Sequence, residues 1–245
     1  MILTSGFPDA RQKYWINRSI SKRSWNGGMA TKVVSDERRM DDPKASSREV
    51  LLASACALMT ERSTIEISLS DIAKHSGLNS ALVKYYFGTK QGMMLALVED
   101  VLSKGLDRLE DLVAMDMSAT EKLKLHVKAI ITIYFRFPFI NRLIHYLFAD
   151  PVAGLEVAEK ISKPLAETQR HLLEQGIATG EFKPVDPMMF YFIILGACDH
   201  LFFGQHIMRV AFHIETIDDA MRRRYTKTLL DMVLSGILTD EDKAG

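Results

Sequence analysis

The chain has 245 residues, with 31 basic and 31 acidic side chains, 47% hydrophobic residues and 25% charged ones. These are the proportions of a soluble globular protein long enough for a sizeable core, in one large domain or two. Cys56 and Cys198 are the only cysteines, which excludes a disulfide framework and a C-x-x-C metal pair and fits a reducing cytoplasm.

The neutral balance conceals an asymmetry. Residues 1–45 carry a net +4, residues 46–92 a net +1 and residues 93–245 a net −5, so an anionic partner is expected at the N-terminal end. In residues 1–45, Arg11, Lys13, Arg18, Lys22 and Arg23 alternate with polar residues, Tyr14 and Trp15, ahead of Gly27-Gly28. No sustained period and no apolar core of a secretory signal is present. This segment is expected to be a basic, disordered tail. The other reading is a basic arm that follows a DNA minor groove, and Met29 or Met40 are alternative starts.

Asp41-Asp42-Pro43 breaks structure, and Ser46-Ser47 can cap a helix running from Arg48 through Leu58 to Glu61. Leu51, Ala55, Leu58 and Met59 give it an apolar stripe. After a loop at Ser63–Ile67 comes the stretch SLSDIAKHSGLNSALVKYYFGTK, Ser68 to Lys90. Ser68 and Asp71 form a capping-box-like pair at the start of a short helix. Ile72 and Ala73 supply its apolar face, and Gly77 supplies a left-handed C-cap. Leu78 plugs the corner, Asn79 is a second N-cap, and Val83 and Tyr86 turn one face of the next helix back on the first. That spacing predicts a helix-turn-helix. Ser80, Ala81, Lys84 and Tyr85 then point outwards, a set of small, basic and phenolic groups that suits a major groove. Two surface helices of an ordinary helical domain would satisfy the same capping and spacing.

The run IEISLSDIAKHSGLNSALVKYYFGTKQGMM resembles the DNA-binding domain of TetR-family transcriptional regulators. Asp71-Ile72-Ala73, Gly77-Leu78, Tyr85-Tyr86-Phe87 and Lys90 carry the resemblance, which covers roughly residues 46 to 95. Lys84 stands where an aromatic is common in that family, and Ala81-Leu82 replaces a frequent small-Thr pair. The resemblance implies DNA contacts at Ser68, Asn79, Ser80, Lys84, Tyr85, Tyr86 and Lys90. Lysine suits guanine O6 and N7, so Lys84 is the expected base reader. Tyr86 is expected to pack its ring inwards and reach phosphate with its hydroxyl. Lys90, at a helix start, is expected on phosphate.

Beyond residue 92 the pattern stays helical, with no convincing period-2 run. Thr89 can cap a helix that runs from Lys90 through Leu97, Leu102 and Leu106 to Leu109 and Val113, with Gly105 as a possible kink. Thr120–Arg136 follows, ended by Pro138, then Phe139–Phe148. Breaks are expected at Pro151 and Gly154, then a long helix over Leu155–Ile177, kinked at Pro164 and ended by Gly176 or Gly180. Asp186 caps the next helix and Pro187 is its first residue. Met188–Ile207 is apolar nearly all round, which predicts burial between neighbours. Its length invites a membrane reading, against which Gly196, Asp199, His200 and Gln205 argue. The family resemblance implies that this helix and Ile217–Leu238 form a four-helix homodimer interface, so that the dimer reads a palindromic operator in double-stranded DNA.

No H-E-x-x-H, G-x-S-x-G or phosphate-cradling glycine loop occurs, so no catalytic residue, metal or cofactor is expected. Ligand sensing is the better reading of the remaining polar residues. Asp199 and His200 fall midway along an apolar helix, where polar groups are costly unless paired. Arg136, Asn141, Arg142, His145 and Tyr146 lie near a short helix rich in aromatics, with Tyr191 close in composition. These eight are the candidate anchors for a small-molecule effector; Asp199 could equally pair across helices or subunits. The expected protein is all-α: a basic tail over 1–45, a three-helix helix-turn-helix head over 46–92, and a ligand-sensing, dimerising body over 93–245. It would be a cytoplasmic, ligand-relieved repressor. An activator or ligand-independent regulator of the same fold, or a helical carrier or enzyme that no longer binds DNA, are the alternatives.

Overall fold

A computed structural model describes residues 46–239; the basic tail expected over residues 1–45 lies outside the described residues. The chain divides into two compact units between Met93 and Met94.

In the first unit, local capping chemistry fixes where each helix begins. α1 (Ser47–Arg62) opens on a capping box in which Ser46 Oγ accepts from the Glu49 amide and Glu49 accepts from the Ser46 amide at 3.1 Å. The apolar stripe expected on α1 is wider in the structure. Leu51 to Met59 are all buried, because the small residues Ala53, Ser54, Ala55, Cys56 and Ala57 let neighbours approach on every side. α2 (Leu69–Ser76) and α3 (Ala81–Phe87) both pack on α1. α4 (Lys90–Leu106) is capped by Thr89, whose Oγ1 accepts from the Gly92 amide at 2.9 Å.

α4 stops at Leu106 instead of continuing to Val113. Just past Gly105 the backbone tightens, the Arg108 amide reaching the Gly105 carbonyl at 3.3 Å, and α5 (Leu109–Ala114) starts as a separate helix. The rest of the second unit is α6 (Ala119–Arg136), α7 (Pro138–Phe148), α8 (Pro151–Val157), a π-helical turn (Ala158–Ser162), α9 (Lys163–Ala178), α10 (Pro187–Phe203), α11 (Gln205–Phe212) and α12 (Asp219–Ile237). α6 is the hub, packed against α5, α7, α9, α10 and α12. Its first turn is held from a distance: the Glu181 carboxylate accepts from the Ala119 and Thr120 amides at 3.0 and 2.9 Å, satisfying donors that no intrahelical carbonyl can reach. Burial opposes ionisation of Glu181, yet these bonds and one from Thr179 hold its carboxyl below the usual range.

The expected breaks at Pro151 and Gly154 are corrected. Pro151 begins α8 behind the cap of Asp150, and Gly154 lies inside that helix, where a Cβ would come 3.2 Å from the Phe148 carbonyl oxygen. Helical backbone then continues to Ala178, and the one irregularity is the π turn just ahead of Pro164, which cannot donate to the Lys160 carbonyl. Among the described residues there is no strand; an isolated bridge pairs Phe182 with Leu238.

α10 also departs from expectation. Asp186 caps it and Pro187 is its first residue, but it is not buried all round within one chain. Phe190, Ile194, Cys198 and Phe202 recur every fourth residue and face the core, while Met188, Met189, Phe192 and Ile193 are each more than half exposed. α10 packs against α6, α7 and α9, and the outer row is left more than half in solvent. Gly204 ends the helix, and the chain bends by 66° into α11. No single helix among the described residues is long and apolar enough to cross a membrane.

Candidate functional site

The head is organised by the turn between α2 and α3. Ser68 donates its hydroxyl to Asp71 Oδ2 at 2.5 Å and its amide to the same oxygen at 3.0 Å, while Arg62 reaches Oδ1 at 3.1 Å. The Ser68 hydroxyl first, and then Arg62, hold the Asp71 carboxyl far below the usual carboxylate range. Ser68 therefore fixes the start of α2. Gly77 takes φ 72°, a left-handed conformation that favours glycine, and closes α2 through its amide on the Ala73 carbonyl. Asn79 caps as expected in function, its Oδ1 accepting from the Ala81 amide at 2.9 Å, although the helical residues begin only at Ala81.

Ile72 and Val83 are buried at 0% and 1% exposure and set the inner faces. On the opposite side of α3, Lys84 and Tyr85 are exposed; Ser80, just ahead of the helix, is half-buried. The inward ring expected of Tyr86 is not found. It is 37% exposed and meets Tyr85 edge-on at 4.9 Å, whereas Phe87 lies under the Arg48 guanidinium at 5.3 Å. The helical period explains the exchange, since Phe87, four residues after Val83, falls closer to the buried line than Tyr86 does. Lys90 is half-buried at the N-terminus of α4. Lys84, Tyr85 and Tyr86 thus put a cation and two phenols on one short exposed helix.

The body holds a polar network between α7 and α10. Asn141, 0% exposed, donates its side-chain nitrogen to the Asp199 carbonyl at 3.3 Å and to Asp199 Oδ1. His145 Nε2 lies 3.0 Å from Asp199 Oδ2, and its ring meets Phe203 at 5.1 Å. Arg142 donates to Gln205 Oε1 at 3.3 Å. Burial first, and then the Asp199 charge, raise the Tyr134 phenol far above its usual range; burial pushes the Cys198 thiol up to about 12, which keeps it protonated and inert. Of the eight candidate anchors, Asn141, His145 and Asp199 form the network and Arg142 borders it. Arg136, Tyr146 and His200 are exposed, and Tyr191 hydrogen-bonds Ser162 in the π turn. Tyr134, Phe203 and Gln205 are not among the anchors expected from sequence. A second buried pair, His126 and Gln169 at 3.1 Å, also escaped notice, and burial lowers His126 to about 4.

A helix-turn-helix of this geometry joined to an all-helical body defines a DNA-binding regulator. Residues 51–97 match the family of bacterial regulatory proteins, tetR family, and residues 116–243 match the tetracyclin repressor-like C-terminal domain. The chain belongs to the TetR family and is a transcriptional regulator. It is similar to the HTH-type transcriptional regulator BetI of Rhizobium meliloti (strain 1021), 30% identical over 89 residues, a match spanning 36% of this chain and 42% of that relative. In fold it is similar to FadR of Bacillus subtilis, solved in complex with stearoyl-CoA (TM-score 0.62, 19% identity, 76% of this chain and 97% of that one). A TetR/AcrR-family regulator of Thermobifida fusca YX-ER1 gives a TM-score of 0.58 at 23% identity, covering 75% and 96%.

Proposed function

We propose that this regulator is a repressor that binds a palindromic operator as a homodimer and lets go when a small molecule occupies its body. The exposed face of α3 carries the reading: Lys84, Tyr85 and Tyr86 present donors opposite the buried Val83, with Asn79 and Ser80 at the leading end and Lys90 for phosphate. Lys84 reads a base, and the others position the backbone. The outer row of α10, with Met232 of α12 70% exposed, supports a homodimer, because a single chain leaves this apolar surface in water. The polar network in the body supports an effector site, and FadR, similar in fold, was solved holding stearoyl-CoA. Coupling between the two sites of about 1–3 kcal/mol is enough to change operator occupancy severalfold. On this reading the role is regulatory and not catalytic, and the protein acts in the cytoplasm.

Fluorescence anisotropy with a labelled duplex across a salt series tests this. Phosphate contacts predict a linear fall of log affinity with log salt, with a slope of roughly −0.9 for each phosphate neutralised. A folded protein that shows no salt-dependent binding to any duplex would instead be a carrier that has lost DNA binding.

A further inference from the structure

The effector reading above can be sharpened at one atom. The Asn141 side-chain nitrogen faces two acceptors of Asp199, the main-chain carbonyl and a carboxylate oxygen. Turned over, the amide would set its own oxygen against both, so its orientation is fixed by its surroundings. Asn141 Oδ1 is consequently buried with no hydrogen-bond partner. A bare interior acceptor is unfavourable until a donor meets it. The same amide's nitrogen is bonded to one Asp199 carboxylate oxygen, and the other carboxylate oxygen faces His145 Nε2 at 3.0 Å. Its neighbours are already engaged, Arg142 with Gln205 and His145 Nε2 with Asp199 itself. On the His145 side the cluster reaches the surface, where the His145 ring meets Phe203, itself 49% exposed. The floor therefore offers acceptors and negative charge, and the rim offers apolar surface.

We propose that this cluster receives the hydrogen-bond-donating head, a hydroxyl or a primary ammonium, of an otherwise apolar small molecule. Asn141 Oδ1 accepts one hydrogen of that head, and Asp199 takes a second or supplies the countercharge. A carboxylate or phosphate head has no hydrogen to give Asn141 Oδ1 and sets its charge against the Asp199 carboxylate, and is rejected. A quaternary ammonium, which has no N–H, leaves Oδ1 bare and is rejected too. This inference rests on the proposal that the body binds an effector.

The test uses the full chain and four probes with the same eight-carbon tail: octylamine, 1-octanol, octanoate and octyltrimethylammonium. Binding is read by calorimetry, and operator affinity by anisotropy. Octylamine or 1-octanol should bind at least tenfold more tightly than the other two, and Asn141→Ala should abolish that preference. If Asn141→Ala does not fold, Asp199→Asn serves: it should weaken octylamine at least tenfold relative to 1-octanol. Octanoate binding as tightly as the donors, or no probe binding, overturns the assignment. The two readings fail separately. Donor probes that bind as predicted yet leave operator affinity unchanged sink the effector reading and keep the site, whereas release of the operator by octanoate keeps the effector reading and sinks this one.

Discussion

Gly176 lies directly beneath the ring of Phe182, so close that a Cβ on residue 176 would stand 2.1 Å from a ring carbon. Phe182 is 2% exposed, and its neighbours tie the end of α12 to this turn: the Lys183 amide donates to the Ile237 carbonyl at 2.8 Å and the Thr239 amide to the Glu181 carbonyl at 3.0 Å. A single glycine thus allows one turn to close the body.

Gly176→Ala is therefore expected to destabilise the protein by about 1–3 kcal/mol, the usual cost of overpacking a filled core. Gly236→Ala is the control. It is helical with no heavy atom within 4 Å of the added Cβ, and it should be neutral or stabilising by up to about 1 kcal/mol. Urea unfolding of both variants checks the contrast.

Ser68→Ala removes the cap of α2 and the hydroxyl donated to Asp71. A loss of about 1 kcal/mol is expected, together with a rise of the Asp71 carboxyl towards the ordinary range. Carboxyl titration by NMR would detect that rise, and an unmoved Asp71 would contradict the assignment of its cause.

His126 predicts a pH dependence. Its folded value, lowered by burial to about 4, lies below the ordinary histidine value of about 6.5. Between those pH values the unfolded chain binds a proton that the folded chain does not, so stability is full above about pH 6.5 and falls as the pH drops. The loss by pH 4 is about 3 kcal/mol. His126→Gln should flatten this part of the stability–pH curve, measured at fixed protein concentration.

The outer face of α10 predicts the oligomeric state. Phe192→Glu, at a side chain 67% exposed in the single chain, should leave the fold intact by circular dichroism and shift the protein to monomer in sedimentation velocity. Operator affinity should fall with it, since a two-fold protein gains from holding both half-sites.

What could be read from the sequence follows the range of the interactions. The caps at Ser46, Ser68, Asn79, Thr89 and Asp186 act within three residues of themselves, and all five side chains are found bonded to the helix starts they were expected to serve. The outward placement of Lys84 and Tyr85 was legible for the same reason: both follow within two residues of the buried Val83. Tyr86 was misjudged because Phe87 competes for the inner position. α10 could not be resolved from sequence, because an apolar run without a period does not say which side meets the core. Pro151 was read as a break, although proline also starts helices and Asp150 was there to cap one. Asn141 and His145 share a face at i, i+4, a readable signal, but their partner Asp199 is 58 residues from Asn141 and only the packing of α10 on α7 brings it there.

The measurement that tests the central claim most directly is selection of bound fragments from a random duplex library by the purified protein at near-physiological salt. The account predicts a palindrome with half-sites about one helical turn or more apart, and Lys84→Ala should relax the preference at one base position in each half. Lys90→Ala should weaken all sequences alike. Recovery of no sequence above background from a folded, dimeric protein, or a palindrome read identically by Lys84→Ala, would contradict it.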